Sequence, residues 1–218
     1  AAKGSVMPPP EINLSLAALR SAIDARVPFV AEAADEHDVQ RWQKIGAEAG
    51  LTFIMKGSGL EYRRLPSMAA TKPTFILPLS FPDAPDVRDP VRAREVGLGD
   101  LIAWYWAADN ARLLDSVGCR FAFTTDGLKD RGQLLSRVRL CVERGLDSNT
   151  ALAALTTQAA TIAGVADRAG RITKGHYANL VIMSKPLFND DAEIRTVVVA
   201  GEETQLTRPV DVDVRGHW

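Results

Sequence analysis

Apolar residues along this chain alternate between short continuous runs and longer stretches in which they recur every three or four positions. A short continuous run is typical of a strand buried on both faces, whereas the longer spacing predicts an amphipathic helix. Because the two patterns alternate through the first three quarters of the chain, they predict β-α units that form a parallel sheet covered by helices. The predicted strands are residues 27–32, 51–55, 73–78 and 120–125, and the predicted helices are 14–25, 36–49, 60–70, 98–117, 132–144 and 150–162.

Polar and glycine residues mark the ends of several of these segments. Asp35 stands where a helix N-cap is expected, and Gly50 stands where a left-handed residue would end the same helix. In the last quarter of the chain the pattern changes, because the apolar runs at 178–183 and 194–200 have no long helix between them. These runs predict two strands of a small β region, and Gly201 predicts a turn after the second strand.

Three other segments carry candidate features. Residues 57–59 read Gly-Ser-Gly, which predicts a tight strand-to-helix turn and is too short a motif to indicate a phosphate cradle. Residues 80–97 are rich in proline and aspartate and predict a long loop, which is usually functional or disordered. Residues 104–106 read Trp-Tyr-Trp, and helical periodicity predicts that at least one of these rings packs in the core.

Composition narrows the class of protein without defining a function. The chain has 218 residues, and 46% of them are hydrophobic, which is sufficient for one sizeable core. The 26 basic and 27 acidic residues are spread along the chain, which argues against a nucleic-acid partner or a basic membrane-binding patch. No apolar stretch approaches the ~20 residues of a membrane-spanning helix. The first ten residues do not resemble a signal peptide and lack an initiator methionine, so we expect a longer chain, and no compartment is indicated.

The segment 147–201 carries the most specific motifs. The stretch DSNTALAALTTQAATIAGVADRAGRITKGHYANLVIM, followed by TVVVAG, resembles the C-terminus of amidohydrolases. Upstream, VPFVAEAADEHDV, LTFIMKGSGLEYRRL and FAFTTDGL resemble the fifth, sixth and eighth strands of the barrel in that superfamily, particularly in its imidazolonepropionase-like branch. The matching residues of the C-terminal segment are Ala151, Leu155, Thr156, Ala159, Ala160, Gly164, Gly170, Gly175 and Leu180.

The resemblance implies an α/β fold that is the C-terminal half of a (β/α)₈ barrel. Residues 1–165 would form β/α units 5–8, and residues 166–218 would form the C-terminal segment of a small β-sandwich domain. A half barrel leaves two sheet edges without a neighbouring strand, and natural proteins rarely tolerate open edges. We therefore expect either a missing N-terminal half or a homo-oligomer to complete the barrel.

In a β/α barrel the chemistry lies at the carboxyl ends of the strands, and here those ends carry Glu32, Lys56, Ser80 and Asp126. The resemblance implies zinc as cofactor, with histidine ligands on strands 5 and 6 and an aspartate on strand 8. Glu32 and Lys56 occupy the two histidine positions, and only Asp126 keeps the residue of the family. Since a protonated lysine cannot bind a cation, we expect that this chain does not bind zinc. The three histidines, His37, His176 and His217, lack ligand spacing with one another.

Two interpretations of Lys56 are open. Its ammonium could lie between Glu32 and Asp126, where it would neutralise two carboxylates in place of the metal. Alternatively, Lys56 could act as a base or a Schiff-base nucleophile with a lowered pKa. Because two nearby carboxylates would raise that pKa, the first interpretation is favoured.

For function, the resemblance implies hydrolysis of C–N bonds in amides or cyclic amides, impaired by the loss of the zinc-binding histidines. Asp126 and Lys56 are then the candidate catalytic residues, and Glu32 and Asp126 stand at the family's metal-binding positions. The alternative is a non-catalytic pseudoenzyme or small-molecule-binding scaffold fragment that needs its N-terminal half or another partner. The sequence does not name a substrate.

Overall fold

The computed structural model describes residues 13–207, which form a four-stranded sheet with helices and a separate three-stranded sheet. No helix in these residues is long and apolar enough to cross a membrane. The strands are β1 Phe29–Glu32, β2 Phe53–Lys56, β3 Thr74–Pro78, β4 Arg120–Thr124, β5 Leu180–Met183, β6 Ile194–Val199 and β7 Glu202–Gln205. The helices are α1 Leu14–Asp24, α2 Glu36–Ala49, α3 Leu65–Thr71, α4 Pro90–Glu95, α5 Leu98–Trp106, α6 Asn110–Ser116, α7 Leu134–Glu143, α8 Ser148–Leu155 and α9 Thr157–Ile162.

The first four strands form a parallel sheet in the order β1-β2-β3-β4, which confirms the predicted α/β architecture. The register pairs Glu32 with Lys56, Lys56 with Ile76, and Ile76 with Ala122, so the carboxyl ends of the strands lie along one edge of the sheet. Within residues 13–207, no strand pairs with the outer edge of β1 or of β4. That this sheet is half of a closed barrel stays a prediction.

One face of this sheet holds the core. Met55, Phe75 and Phe121 are fully buried there against the helices, and Phe75 alone contributes roughly 2–3 kcal/mol through burial of its side chain. Successive residues of a strand point to opposite faces, so Val30 on β1 belongs to the other face. Val30 is 57% exposed and Ile54 beside it is only partly buried. The second face is therefore open along β1 and β2.

Helix α2 forms for the reasons that the sequence predicts. The Asp35 side chain accepts hydrogen bonds from the backbone N–H groups of His37 and Asp38, at 2.8 and 2.9 Å, which satisfies two of the free donors at the helix start. Gly50 ends the helix in the left-handed region at φ 67°, where a side chain would be strained.

The predicted loop 80–97 and two of the predicted helices differ from the structure. The segment 80–97 contains α4, which begins at Pro90 because the Asp89 side chain accepts a hydrogen bond from Val91 N. The predicted helix 98–117 is two helices, α5 and α6, joined by a 3₁₀ turn. The predicted helix 150–162 is likewise broken at Thr156, whose φ of −129° and ψ of −89° are not helical.

The prediction that the Trp-Tyr-Trp segment packs in the core is wrong. Trp104, Tyr105 and Trp106 are 40%, 50% and 36% exposed. Helix α5 has no buried residue, and the Trp106 ring packs on Tyr105 and on Tyr62. Periodicity established the helix but not the surface that it faces.

The C-terminal residues form an antiparallel sheet in the order β5-β6-β7. Its first two strands are as predicted, while β7, which follows the turn at Gly201, has no strong apolar pattern and is not predicted from the sequence. Arg139 on α7 donates hydrogen bonds to the carbonyls of Leu187, Asp190 and Ala192, at 3.0, 3.3 and 3.0 Å, and so joins the connection between β5 and β6 to the first sheet's helices. Assignment of residues 166–218 to a β-sandwich stays a prediction.

Candidate functional site

The candidate site lies at the carboxyl ends of the parallel strands. Glu32 is the last residue of β1, Lys56 is the last residue of β2, and Asp126 lies two residues beyond β4. Strand β3 separates β2 from β4, so Lys56 and Asp126 belong to strands about 10 Å apart. Only a long side chain can connect the two positions, and the lysine stem supplies that length.

The structure brings these three side chains together. Nζ of Lys56 lies 2.8 Å from Oε1 of Glu32 and 2.5 Å from Oδ2 of Asp126. The predicted placement of the ammonium between two carboxylates is therefore confirmed. We call these three residues the Lys56 cluster.

Within the Lys56 cluster, Lys56 and Asp126 stabilise each other's charged form. The hydrogen bonds that Lys56 donates to Asp126 and to Glu32 raise the pKa of Lys56 above its usual value of 10.5. The same hydrogen bond from Lys56 lowers the pKa of Asp126 below 3.8. A raised pKa keeps Lys56 protonated at neutral pH, which opposes its use as a base or a nucleophile.

The Lys56 cluster is accessible to solvent. The side chains of Glu32 and Asp126 are 73% and 60% exposed, whereas that of Lys56 is 29% exposed. Both carboxylates are therefore in contact with solvent. Water and salt therefore screen these ion pairs, and their contribution to stability is correspondingly smaller.

The sign of each pKa shift gives a pH prediction for Lys56→Met. The contribution of Lys56 is complete below its unfolded-state pKa of about 10.5 and is lost as pH rises through the raised folded-state value. The contribution of Asp126 is present above about 3.8 and is lost as pH falls through the lowered value. We expect the melting-temperature difference between wild type and K56M to be constant from about pH 5 to 9 and to shrink outside that window.

Lys44→Met is the matched control for this measurement. Lys44 is exposed on α2 and lies 4.0 Å from Glu48, a single helical ion pair of little energetic weight. Its substitution should change the melting temperature less, at every pH. A K56M difference that equals the K44M difference, or that does not vary with pH, would contradict the prediction.

The strand-end loops around the Lys56 cluster approach each other closely. Thr124 accepts a hydrogen bond from Asp126 N at 3.1 Å through its hydroxyl, which fixes the start of the loop after β4. Gly127 follows in the left-handed region at φ 75°, and a Cβ at this position would lie 2.9 Å from the Ser80 hydroxyl. Ser80, the fourth residue expected at the strand ends, thus lies against this loop.

The two histidines that the structure describes make their contacts outside the Lys56 cluster. His37 Nε2 lies 3.4 Å from a guanidinium nitrogen of Arg64, and His176 Nδ1 lies 2.9 Å from the Thr173 hydroxyl. His217 is outside the described residues. Within residues 13–207, no group of three or more histidine, cysteine, aspartate or glutamate side chains has the arrangement to hold a metal ion.

A buried carboxylate beside the Lys56 cluster is not anticipated from the sequence. Glu61 is fully buried and accepts hydrogen bonds from Ser58 N at 2.6 Å and from Asn110 Nδ2 at 2.7 Å. It also accepts hydrogen bonds from Gly59 N at 3.1 Å and from the Ser58 hydroxyl. Asn110 in turn accepts a hydrogen bond from Tyr62 N at 2.9 Å. The signal in the sequence was an acidic residue two positions after the Gly-Ser-Gly turn.

Residues 107–204 match the sequence profile of the amidohydrolase family. An amidohydrolase from Thermotoga maritima MSB8 has a similar structure, with a TM-score of 0.70 and 18% identity over 92% of this chain and 48% of that chain. A Xaa-Pro dipeptidase with bound methionine in its active site gives a TM-score of 0.63 and 18% identity over 87% of this chain and 47% of that one. No curated protein sequence matches the chain.

The profile match over residues 107–204 supports the predicted resemblance to the amidohydrolase superfamily. The structural similarities, at 18% identity, show the shared fold alone. The chain spans about half the length of the structures that it matches. The imidazolonepropionase-like branch stays a prediction.

Proposed function

We propose that this chain supplies the C-terminal half of an amidohydrolase-type barrel, with β/α units 5–8 in residues 1–165 and a β-sandwich segment in residues 166–218. Two observations support the proposal: the open face and edges of the parallel sheet, and the coverage of about half of each similar structure. The missing half would be an N-terminal segment of a longer chain or a second copy of this chain.

We further propose that the barrel acts on C–N bonds of amides or cyclic amides with impaired activity, because an ion-pair cluster replaces its zinc centre. The observation that carries this proposal is the position of the Lys56 ammonium between Glu32 and Asp126. Zinc does not fit this donor set, since the protonated lysine repels a cation and both carboxylates already bind the ammonium. The Xaa-Pro dipeptidase among the similar structures makes dipeptides that end in proline the first substrates to test.

Asp126 and Lys56 are the proposed functional residues of this site. Lys56 has three N–H donors, of which two bind Glu32 and Asp126, so the third can donate to a carbonyl or carboxylate oxygen of a ligand. Asp126 is held ionised by Lys56 and can accept a hydrogen bond from a ligand N–H. These residues can bind and orient an amide without a metal.

The alternative is a non-catalytic protein that binds a small molecule or acts as a scaffold. The raised pKa of Lys56 favours it, because a lysine that stays protonated at neutral pH cannot remove a proton from water. The two proposals differ in a direct assay. Turnover of an amide or dipeptide that is lost in D126N supports hydrolysis, whereas saturable binding without turnover supports the alternative.

Zinc titration tests the loss of the metal centre. The wild-type chain should bind less than one equivalent of zinc, because Lys56 occupies the space between the carboxylates. Replacing Glu32 and Lys56 by histidine should create a zinc site with Asp126, since two imidazoles and a carboxylate are a typical ligand set. We expect the E32H/K56H variant to bind zinc at least about tenfold more tightly than wild type, measured by calorimetry.

The control for the zinc experiment is E32H/K44H, which has the same composition but places the second histidine on α2. It should bind zinc no better than wild type. Stoichiometric zinc binding by wild type that is lost in E32Q and D126N would overturn the proposal that the metal centre was replaced.

A further inference from the structure

The connection between α9 and β5 forms a small structured loop outside the Lys56 cluster. Tyr177 N donates a hydrogen bond to Arg168 O at 2.9 Å, and His176 N donates one to Thr173 O at 3.1 Å. Gly175 adopts φ 95°, a left-handed conformation that allows the turn to close. These contacts fix the backbone from residue 168 to residue 177.

This loop lines a wide, solvent-open cavity of about 300 Å³, which we call the loop cavity, and most of its lining side chains are exposed. Its lining combines basic, hydroxyl and apolar side chains and contains no acidic residue. The residues that define its chemistry are Arg171, Ile172, Thr173, Lys174, His176 and Tyr177.

The positive charges of the loop cavity are not compensated. Most other ion pairs on the surface join residues that are close in sequence. Arg171 and Lys174, by contrast, form no ion pair with any other residue in the range 13–207. The His176 ring is held by the Thr173 hydroxyl, and its Nε2 has no hydrogen-bond partner in the described part of the chain. Two cations without a counter-charge on one concave surface favour an anionic ligand.

We propose that the loop cavity binds a small organic anion that has a phosphoryl or carboxylate head group and an apolar body. Arg171 and Lys174 would bind the head group, because guanidinium and ammonium groups are the usual partners of both oxyanions. The loop cavity is open to solvent, and its volume of about 300 Å³ admits a small organic molecule. Ile172 and Tyr177 offer apolar surface to the remainder of the ligand.

Phenyl phosphate, benzoate and inorganic phosphate are the probes, added separately to the full 218-residue chain at low salt. The imidazole resonances of His176 report binding by NMR, because its ring lines the cavity. We expect saturable binding of phenyl phosphate or benzoate with a dissociation constant of about 1 mM, and weaker binding of inorganic phosphate. Whichever of the two aromatic anions binds more tightly identifies the head group.

The test variant is R171Q/K174Q, and its matched control is R20Q/K44Q, which removes the same two charges from exposed positions on α1 and α2. The test variant should weaken binding of the aromatic anion by about tenfold, while the control should change it by less than about twofold. Equal effects of the two variants would overturn the proposal, because they would show a general charge effect. So would the absence of saturable binding, or binding that leaves the His176 resonances unchanged.

Discussion

Replacing Glu61 with alanine is expected to lower the free energy of unfolding by about 3 kcal/mol or more. Glu61 is fully buried and accepts hydrogen bonds from Ser58 N, Gly59 N and Asn110 Nδ2. The substitution leaves these donors in a site that water does not reach, and each unsatisfied buried donor costs roughly 1–3 kcal/mol. The measurement is denaturant unfolding of both proteins at neutral pH.

Glu48→Ala provides the control, because Glu48 lies on α2 with its side chain largely exposed. Its replacement should change the free energy of unfolding by less than about 0.5 kcal/mol. A double-mutant cycle with Asn110→Ala should show a coupling of at least about 1 kcal/mol, because the two side chains share one hydrogen bond of 2.7 Å. If E61A is as stable as E48A, the buried carboxylate is not what holds the turn.

Glu61 also explains the Gly-Ser-Gly turn that follows Lys56. A Cβ at Gly57 would lie 2.7 Å from Oε1 of Glu61, so only glycine permits this approach of the turn to the carboxylate. The amides of Ser58 and Gly59, which in a phosphate cradle would face a ligand, are directed to the Glu61 side chain. The turn therefore binds an internal anion, and this contact fixes the backbone directly after Lys56.

The sequence predicts the fold where a local pattern reports directly on a local structure. The four parallel strands follow from the continuous apolar runs. The start of helix α2 follows from Asp35, whose side chain accepts hydrogen bonds from the first turn of that helix. Strand β7 was not predicted, because its exposed polar residues pair with β6 through backbone hydrogen bonds that any side chains permit. The exposure of Trp104 depends on which elements lie beside α5, which periodicity within α5 cannot show.

The candidate site likewise contains contacts that the sequence predicts and contacts that it does not predict. Parallel strands place Glu32, Lys56 and Asp126 at one edge of the sheet, and the opposite charges then predict the ion pairs that the structure contains. The Glu61–Asn110 hydrogen bond could not be predicted in this way, because it joins residues 49 positions apart that are both buried and polar. Such a contact depends on the packing of α6 against the turn after β2, and no charge pattern in the sequence predicts that packing.

The isolated 218-residue chain is expected to associate rather than persist as a monomer. Both outer edges of the β1–β4 sheet lack a paired strand within residues 13–207, and Val30 exposes apolar surface on the open face. Unpaired N–H and C=O groups beside apolar side chains are the usual template for pairing with another chain. Sedimentation velocity over a range of concentrations should show concentration-dependent dimers or larger species.

A comparison of Val30→Lys with Val91→Lys distinguishes association through the open face from nonspecific association. Val30 lies on β1, whereas Val91 is 67% exposed on α4. A lysine at position 30 would bring a charge into the contact, so V30K should raise the concentration needed for association by about tenfold, equivalent to about 1.4 kcal/mol. V91K adds the same charge and should leave that concentration unchanged. A wild-type chain that sediments as a monomer and unfolds in one cooperative transition would contradict the need for a second half, and equal effects of V30K and V91K would place the contact elsewhere than the open face.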